Sequence, residues 1–258
     1  NMITAYTSDG FTLGTDNAVN QSGINHVAWA WKAGNTWQSN LNGAIPSIVN
    51  ANTANGFSIV KYTATGSTAT VGHGLSSAPD LIIGKTTNQS YDWLVYHTSL
   101  GNANAVSLQS NAASASNSFM NSTSPTSSVF TAGAGNNLNY ADGNEIIAYC
   151  FHAVAGYSKF GSYSGSGSDG NAVSLGFQPD FVMIKRTNDT GGWLMFDSAR
   201  NTSNPRNNRL EADNTSAETT GSATKFLDFN STDFEANGSD TEVNASGSTY
   251  LYIAFKVN

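Results

Sequence analysis

The sequence predicts an all-β protein built from tandem β-sandwich or jelly-roll modules of lectin-like kind. Three observations predict it. Apolar residues alternate at period two in many short runs, Gly, Asn, Asp and Ser interrupt those runs at close intervals, and one set of blocks recurs along the chain. No segment sustains a helical period.

A repeat sets the domain organisation. Pro79-Asp80-Leu81-Ile82-Ile83-Gly84-Lys85 returns as Pro179-Asp180-Phe181-Val182-Met183-Ile184-Lys185. Trp93-Leu94-Val95-Tyr96-His97 returns as Trp193-Leu194-Met195-Phe196-Asp197, and Gly56-Phe57-Ser58 as Gly156-Tyr157-Ser158, all displaced by 100 positions. A closing block occurs three times without gaps: Gly23 to Lys32, Gly143 to His152 and Gly247 to Lys256. Each follows a polar stretch introduced by a phenylalanine, Phe11, Phe130 or Phe234. Four segments follow from this register. Residues 1–33 close a preceding repeat, 34–55 are a linker with one short strand over Ala44 to Asn50, 56–155 form module 1 and 156–258 form module 2.

Within the closing blocks, Val27, Trp29 and Trp31 share one strand face, as do Ile147, Tyr149 and Phe151, and Leu251, Ile253 and Phe255. Small or polar residues occupy the other face, as a half-buried strand requires. The bulky rows are expected to point into a shared sheet-on-sheet interior. On that placement Trp31→Ala costs roughly 3–5 kcal/mol. Trp93-Leu94-Val95-Tyr96 is apolar on both faces, so its second face is expected to meet a neighbouring module or chain. Loops such as Ala141-Asp142-Gly143-Asn144 carry turn residues, and each module should hold six to eight strands.

Composition narrows the function classes. Only 11% of the 258 residues are charged, yet aromatics reach 11% and sit in the alternating runs, so the chain reads as ordered rather than disordered. The net charge of −7 excludes the basic stripe that nucleic-acid binding needs. The single cysteine, Cys150, excludes an internal disulfide and a Cys-based zinc site, and its apolar run implies a buried, inert thiol. No apolar stretch is long enough to insert in a membrane, and no signal peptide is visible. Asn1-Met2-Ile3-Thr4 does not read as a natural start, which implies a trimmed or partial chain.

The strings GFSIVKYTATGSTATVGHGL, DWLVYHTSLG and EIIAYCFHAVAGYSKFGSYSGSG resemble an uncharacterised repeat domain of large marine bacteriophage proteins. The likeness covers essentially the whole chain. It implies a virion structural role, such as a tail fibre or another appendage, and supplies no catalytic motif.

The four histidines have no zinc spacing. His152 aligns with Lys32 and Lys256 and is expected on the surface, and His97 aligns with Asp197 as a hydrogen-bonded residue at a strand end. No nucleophile elbow occurs. Asp180, Asp189, Asp197, Glu211 and Asp213 could supply a glycosidase pair, but module 1 has no matching acids, so no catalytic residue is assigned. Asp16-Asn17, Asp142-Gly143-Asn144 and Asp240 with Glu242 could offer calcium oxygens, with plain turns preferred and no metal or cofactor assigned. Trp37, Tyr91 and Asp92 are the candidate glycan platform, against the plainer reading that Trp37 pins the linker and Tyr91 caps the sandwich. All four arginines fall in module 2, and Arg200, Arg206 and Arg209 are the candidate interface. Asp197, Glu211 and Asp213 could equally pair with them.

The expected function is therefore a non-enzymatic phage virion protein: a fibre, appendage or head decoration in the extracellular particle. It is expected to self-associate as a homotrimer, to touch other virion proteins and to contact host-surface glycans. The alternatives are a lectin-like adhesin module and a polysaccharide depolymerase.

Overall fold

The computed structural model describes residues 2–257. The chain divides into two compact units, Asn1–Trp31 and Lys32–Asn258. In the first, β1 (Ile3–Tyr6) and β2 (Phe11–Leu13) form an antiparallel hairpin. A short helix, α1 (Asn17–Asn20), follows, and the Asp16 carboxylate caps it by accepting Ala18 N–H at 2.9 Å.

The strand expected over Gly23 to Lys32 is not formed, since residues 24–34 carry neither helix nor strand. Val27, Trp29 and Trp31 are half-buried and their alternates exposed, so the period survives without the ladder. The reason is pairing. In both later copies this block lies between an opening strand and the Pro-Asp strand, which satisfy its backbone on both sides. A half-buried Trp31 also lowers the expected cost of Trp31→Ala below that of a core tryptophan.

The second unit holds both modules. Module 1 contains β3 (Gln38–Asn40), β4 (Ser47–Asn52), β5 (Phe57–Thr65), β6 (Ala69–Gly72), β7 (Leu81–Thr86), β8 (Leu94–His97), β9 (Asn104–Ser107), β10 (Ala115–Ser116), β11 (Val129–Ala132) and β12 (Asp142–Phe151). Module 2 contains β13 (Ser158–Ser164), β14 (Asn171–Ser174), β15 (Phe181–Arg186), β16 (Trp193–Asp197), β17 (Leu210–Glu211), β18 (Phe226–Phe229), β19 (Asp233–Asn237) and β20 (Thr249–Phe255). The large sheet of module 1 runs β10-β9-β8-β7-β12-β5-β4-β3 and is faced by the pair β11-β6. That of module 2 runs β13-β20-β15-β16-β17 and is faced by β14-β19-β18. The sheets are open and antiparallel, so each module is a β-sandwich. Residues 34–55 are more than a linker. Their strands β3 and β4 extend the module 1 sheet, because the outward backbone groups of β5 need partners and β4 supplies them.

The closing strands sit centrally in both large sheets, but the inward face is the reverse of the one expected. The interior of module 1 takes Ile146, Ala148 and Cys150 from β12, with Tyr62, Ile82, Leu94 and Tyr96, against Val71, Phe130 and Leu138. Module 2 takes Tyr250, Tyr252 and Ala254 from β20, with Tyr163, Val182, Ile184 and Phe196, against Phe229, Phe234 and Val243. The bulky alternates face outward, where Ile147 and Tyr149 are half-buried and Phe151 and the β20 row are covered. Val95, on the outer face of β8, is fully buried, as are Leu251, Ile253 and Phe255 on β20.

They are covered because the two large sheets pack back to back. Phe151 of module 1 meets Phe255 and Phe160 of module 2 at ring-centroid distances of 5.7 and 6.1 Å, and stacks on Phe57 at 4.5 Å. Polar bonds cross the same seam. Trp193 Nε1 donates to Ser107 O at 3.0 Å, and Ser114 N–H donates to Thr187 O at 2.9 Å. The two-sided apolar run of β8 is thus explained by a neighbouring module. Period two shows that a strand has two faces; once both are buried it no longer shows which is the sandwich interior.

Candidate functional site

The motifs that repeat at the sequence level place equivalent side chains on equivalent bonds. Asp80 Oδ2 accepts Ala153 N–H at 2.8 Å, and Asp180 Oδ2 accepts Val257 N–H at 2.9 Å, so each aspartate clamps the chain just past a closing strand. Asn88 accepts Glu145 N–H and donates to Gly143 O, and Asn188 accepts Thr249 N–H and donates to Gly247 O. These pairs tie the loop after β7 or β15 to the start of the closing strand.

Two buried asparagines form a further pair that the sequence did not mark out. Asn139 Oδ1 accepts Thr65 and Gly66 N–H, and its Nδ2 donates to Ser67 O and Ala132 O. Asn244 Oδ1 accepts Ser166 N–H, and its Nδ2 donates to Ser168 O and Gly238 O. Both are fully buried and follow a buried apolar residue whose carbonyl accepts a tyrosine hydroxyl: Tyr62 to Leu138 O at 3.0 Å, Tyr163 to Val243 O at 2.6 Å. The Tyr…Leu-Asn and Tyr…Val-Asn spacing was the available signal, hidden by the abundance of asparagine.

His97 and Asp197 also do one job. His97 Nδ1 accepts Ser99 N–H at 3.1 Å, and Asp197 Oδ1 accepts Ala199 and Arg200 N–H. With Nδ1 an acceptor, the His97 proton sits on Nε2, which donates across the seam to Tyr252 O at 3.2 Å. Burial drives its pKa down to about 4, partly opposed by that bond. His73 is fully buried, with Nδ1 accepting Leu75 N–H and Nε2 donating to Thr126 O. His152, expected on the surface, is buried, with Gly56 packed close against its carbonyl and its ring. Cys150 is fully buried, and burial pushes its thiol pKa far up, as an inert thiol requires.

The arginines of module 2 have partners within that module. Arg200 pairs with Asp197 at 2.6 Å and Glu218 at 2.6 Å, and Arg209 with Glu211 at 3.3 Å. Arg206 is buried over the Phe229 ring and donates to Asn201 O. Asp213 instead accepts Trp193 N–H at 2.7 Å.

Two concave regions stand out. One is an acidic cleft of about 310 Å³ lined by Gln109, Asn111, Gly192, Glu211, Asp213 and Glu242. A methyl group placed on Gly192 would lie 3.3 Å from Asp213 Oδ1, 3.4 Å from Glu211 Oε2 and 3.5 Å from Glu242 Oε1. Each carboxylate is bonded within the chain, Glu242 to Gly192 N–H at 2.8 Å and to Lys225. Among the described residues no trio of His, Cys, Asp or Glu closes on a metal. Burial raises the Glu242 pKa, but the bonds from Lys225 and Gly192 outweigh it and hold the group low. A general acid needs the opposite shift. Beneath the cleft, Lys185 is fully buried and donates to the carbonyls of Asn111, Arg186 and Gly191. Burial lowers its pKa to about 8 against the pull of Asp213 and Glu242.

The other region is an open groove of about 440 Å³ on the outer face of module 1, lined by Leu41, Ile48, Lys61, Thr63, Thr87 and Glu145. Trp37 stands beside it, 47% exposed, with Lys61 Nζ over its ring at 5.6 Å. Of the residues proposed for glycan contact, Trp37 alone adjoins the groove, through Lys61, without lining it. Tyr91 lies against Tyr140 at 5.6 Å, and neither Tyr91 nor the exposed Asp92 lines the groove.

Fold and clamps together define a duplicated antiparallel β-sandwich protein whose repeated polar residues serve its own backbone. Over residues 1–258 the chain matches the family described as a domain of unknown function (DUF7483), and it belongs to that family. Searches of curated proteins and of solved structures gave no match.

Proposed function

We propose that this chain is a non-enzymatic structural component of a bacteriophage particle: a tail fibre, an appendage or a head decoration. One observation supports it most. The polar residues that the two modules share, the Asp80, Asn88 and Asn139 set and its counterparts, are bonded to backbone inside their own module. Duplication has kept scaffolding rather than a reactive pair. The proposed location, the extracellular virion, rests on the resemblance of its strings to phage repeat domains. Antibodies against the folded chain should decorate intact particles of the phage that encodes it. Label confined to the soluble fraction of infected cells would refute the location. Incubation with host capsular polysaccharide should release no reducing ends, and released ends would refute the non-enzymatic reading.

A second reading, a carbohydrate-binding module, is favoured by the exposed Trp37 beside the groove. An indole face offers a sugar ring a stacking platform, and Lys61, Thr63 and Glu145 offer polar contacts. On a glycan array the wild-type chain should bind and Trp37→Ala should not. Equal signals from both would remove this reading.

A further inference from the structure

An edge strand presents a row of N–H and C=O groups to whatever can pair with it, and natural sheets keep such edges short or guarded. The other edge strands of the described residues run two to four residues, including β3, β10 and β17. β13 is an edge of seven residues, paired with β20 alone.

The ladder shows which groups face outward. Lys256 N–H donates to Tyr157 O, and Gly165 N–H to Ser248 O, so the odd-numbered residues of this segment bond β20. Alternation then turns the N–H and C=O of Phe160 and Ser162 to the open side. At the two ends of the strand, Ser158 N–H is taken by Val154 O and Ser164 O by Asn171 Nδ2.

Module 1 shows what this edge can hold. β5 occupies the position of β13, with Tyr62 and Tyr163 on matching bonds. Its outward residues Ile59 and Lys61 pair with Asn50 and Ile48 of β4. In module 2, residues 152–157 run directly from β12 into β13, and no strand takes the β4 position. The turn Thr98–Leu100 of module 1 lies close to β13, but the strand itself carries none of the usual guards. β13 has no proline and no bulge, and Lys159, its one charge, is turned onto Ser174 O at 2.7 Å. Ser162 and Ser164 are exposed.

We propose that β13 pairs antiparallel with β13 of a second copy, about a two-fold axis at Gly161, joining two five-stranded sheets into one. Phe160 of each copy then faces Ser162 of the other, and both exchange N–H···O bonds. Gly161 faces Gly161 with no side chain between, and Lys159 faces Tyr163, so no like charges are opposed. A second copy is the fitting occupant because identical edges match in length and a two-fold needs one self-complementary patch. The inference rests on the proposed structural role and on the self-association expected from the sequence, and it replaces the homotrimer expected there with a pair.

Sedimentation and residue-resolved hydrogen exchange of the full chain test it. The expected result is a reversible dimer in which the Phe160 and Ser162 amides gain protection as concentration rises. The Lys159 and Gly161 amides, bonded to β20, should be protected throughout. Ser162→Pro deletes an outward N–H and leaves the β20 ladder intact; Ser162→Lys leaves the backbone unchanged and adds a charge at the edge. Each should weaken the dimer by about tenfold or more. A chain that is monomeric at every concentration overturns both the pairing and the self-association. A dimer that survives both substitutions, or whose Phe160 and Ser162 amides exchange alike at all concentrations, overturns the pairing alone.

Discussion

Acid should weaken this fold through His97. Its ring is neutral in the folded chain, accepting at Nδ1 from Ser99 and donating at Nε2 to Tyr252 O in the other module. Protonation places a second N–H against the Ser99 N–H, in a fully buried site. The folded pKa is about 4 against 6.5 for the free side chain. Between those values the unfolded chain binds the proton and the folded chain does not, so the His97 contribution is complete above pH 6.5 and is lost as pH falls toward 4. At about 1.4 kcal/mol per pH unit the gap amounts to about 3 kcal/mol. Other groups also titrate in this range, so the observable is a difference. Urea unfolding of wild type and His97→Asn should be followed from pH 7 to pH 4. Asparagine can keep the cap on the Ser99 N–H but does not ionise. At pH 7 the substitution should cost about 1–3 kcal/mol for the lost bond and packing. By pH 4 that deficit should vanish or reverse. A deficit that is the same at both ends of the range would refute the neutral, seam-crossing histidine.

Two further outcomes follow from the buried clamps. Asn139→Ala and Asn244→Ala should each lower stability by about 2–4 kcal/mol in chemical denaturation, since each orphans several buried backbone groups; a large loss for one and none for the other would contradict their equivalence. Lys185→Met should cost about 3 kcal/mol or more in the same assay, because it leaves three carbonyls and two nearby carboxylates without their ammonium. Lys85→Met should cost about 1 kcal/mol or less, because the half-exposed Lys85 serves two carbonyls, those of Thr86 and Gln89.

Much of the architecture was legible, and the rest failed for identifiable reasons. The blocks headed by Pro79 and Pro179 and the closing blocks of the two modules became equivalent strands, because local alternation and a long repeat pointed the same way. The two-sided run at β8 announced the seam. Orientation was not legible: Tyr149 and Phe151 are the bulkier row of β12, yet they face outward, and the smaller Ala148 and Cys150 join Phe130 in the interior. The strand at residues 23–32 failed because strand propensity needs neighbours that a pattern does not contain. The short strand read over Ala44 to Asn50 became β4, whereas β3 was read as linker because polar Gln38 and Ser39 hide a strand at a sheet margin. Of the site residues, Trp37 could be found as a lone aromatic in a polar stretch. Glu242 could not be joined to Glu211 and Asp213, since only the fold brings its loop to Gly192.

The central claim is that the two sandwiches, joined across their outer faces, behave as one body. Scanning calorimetry of the full chain tests it most directly. Residues 32–258 should unfold in a single cooperative transition whose calorimetric and van't Hoff enthalpies agree. Two separable transitions, one for each module, would contradict it.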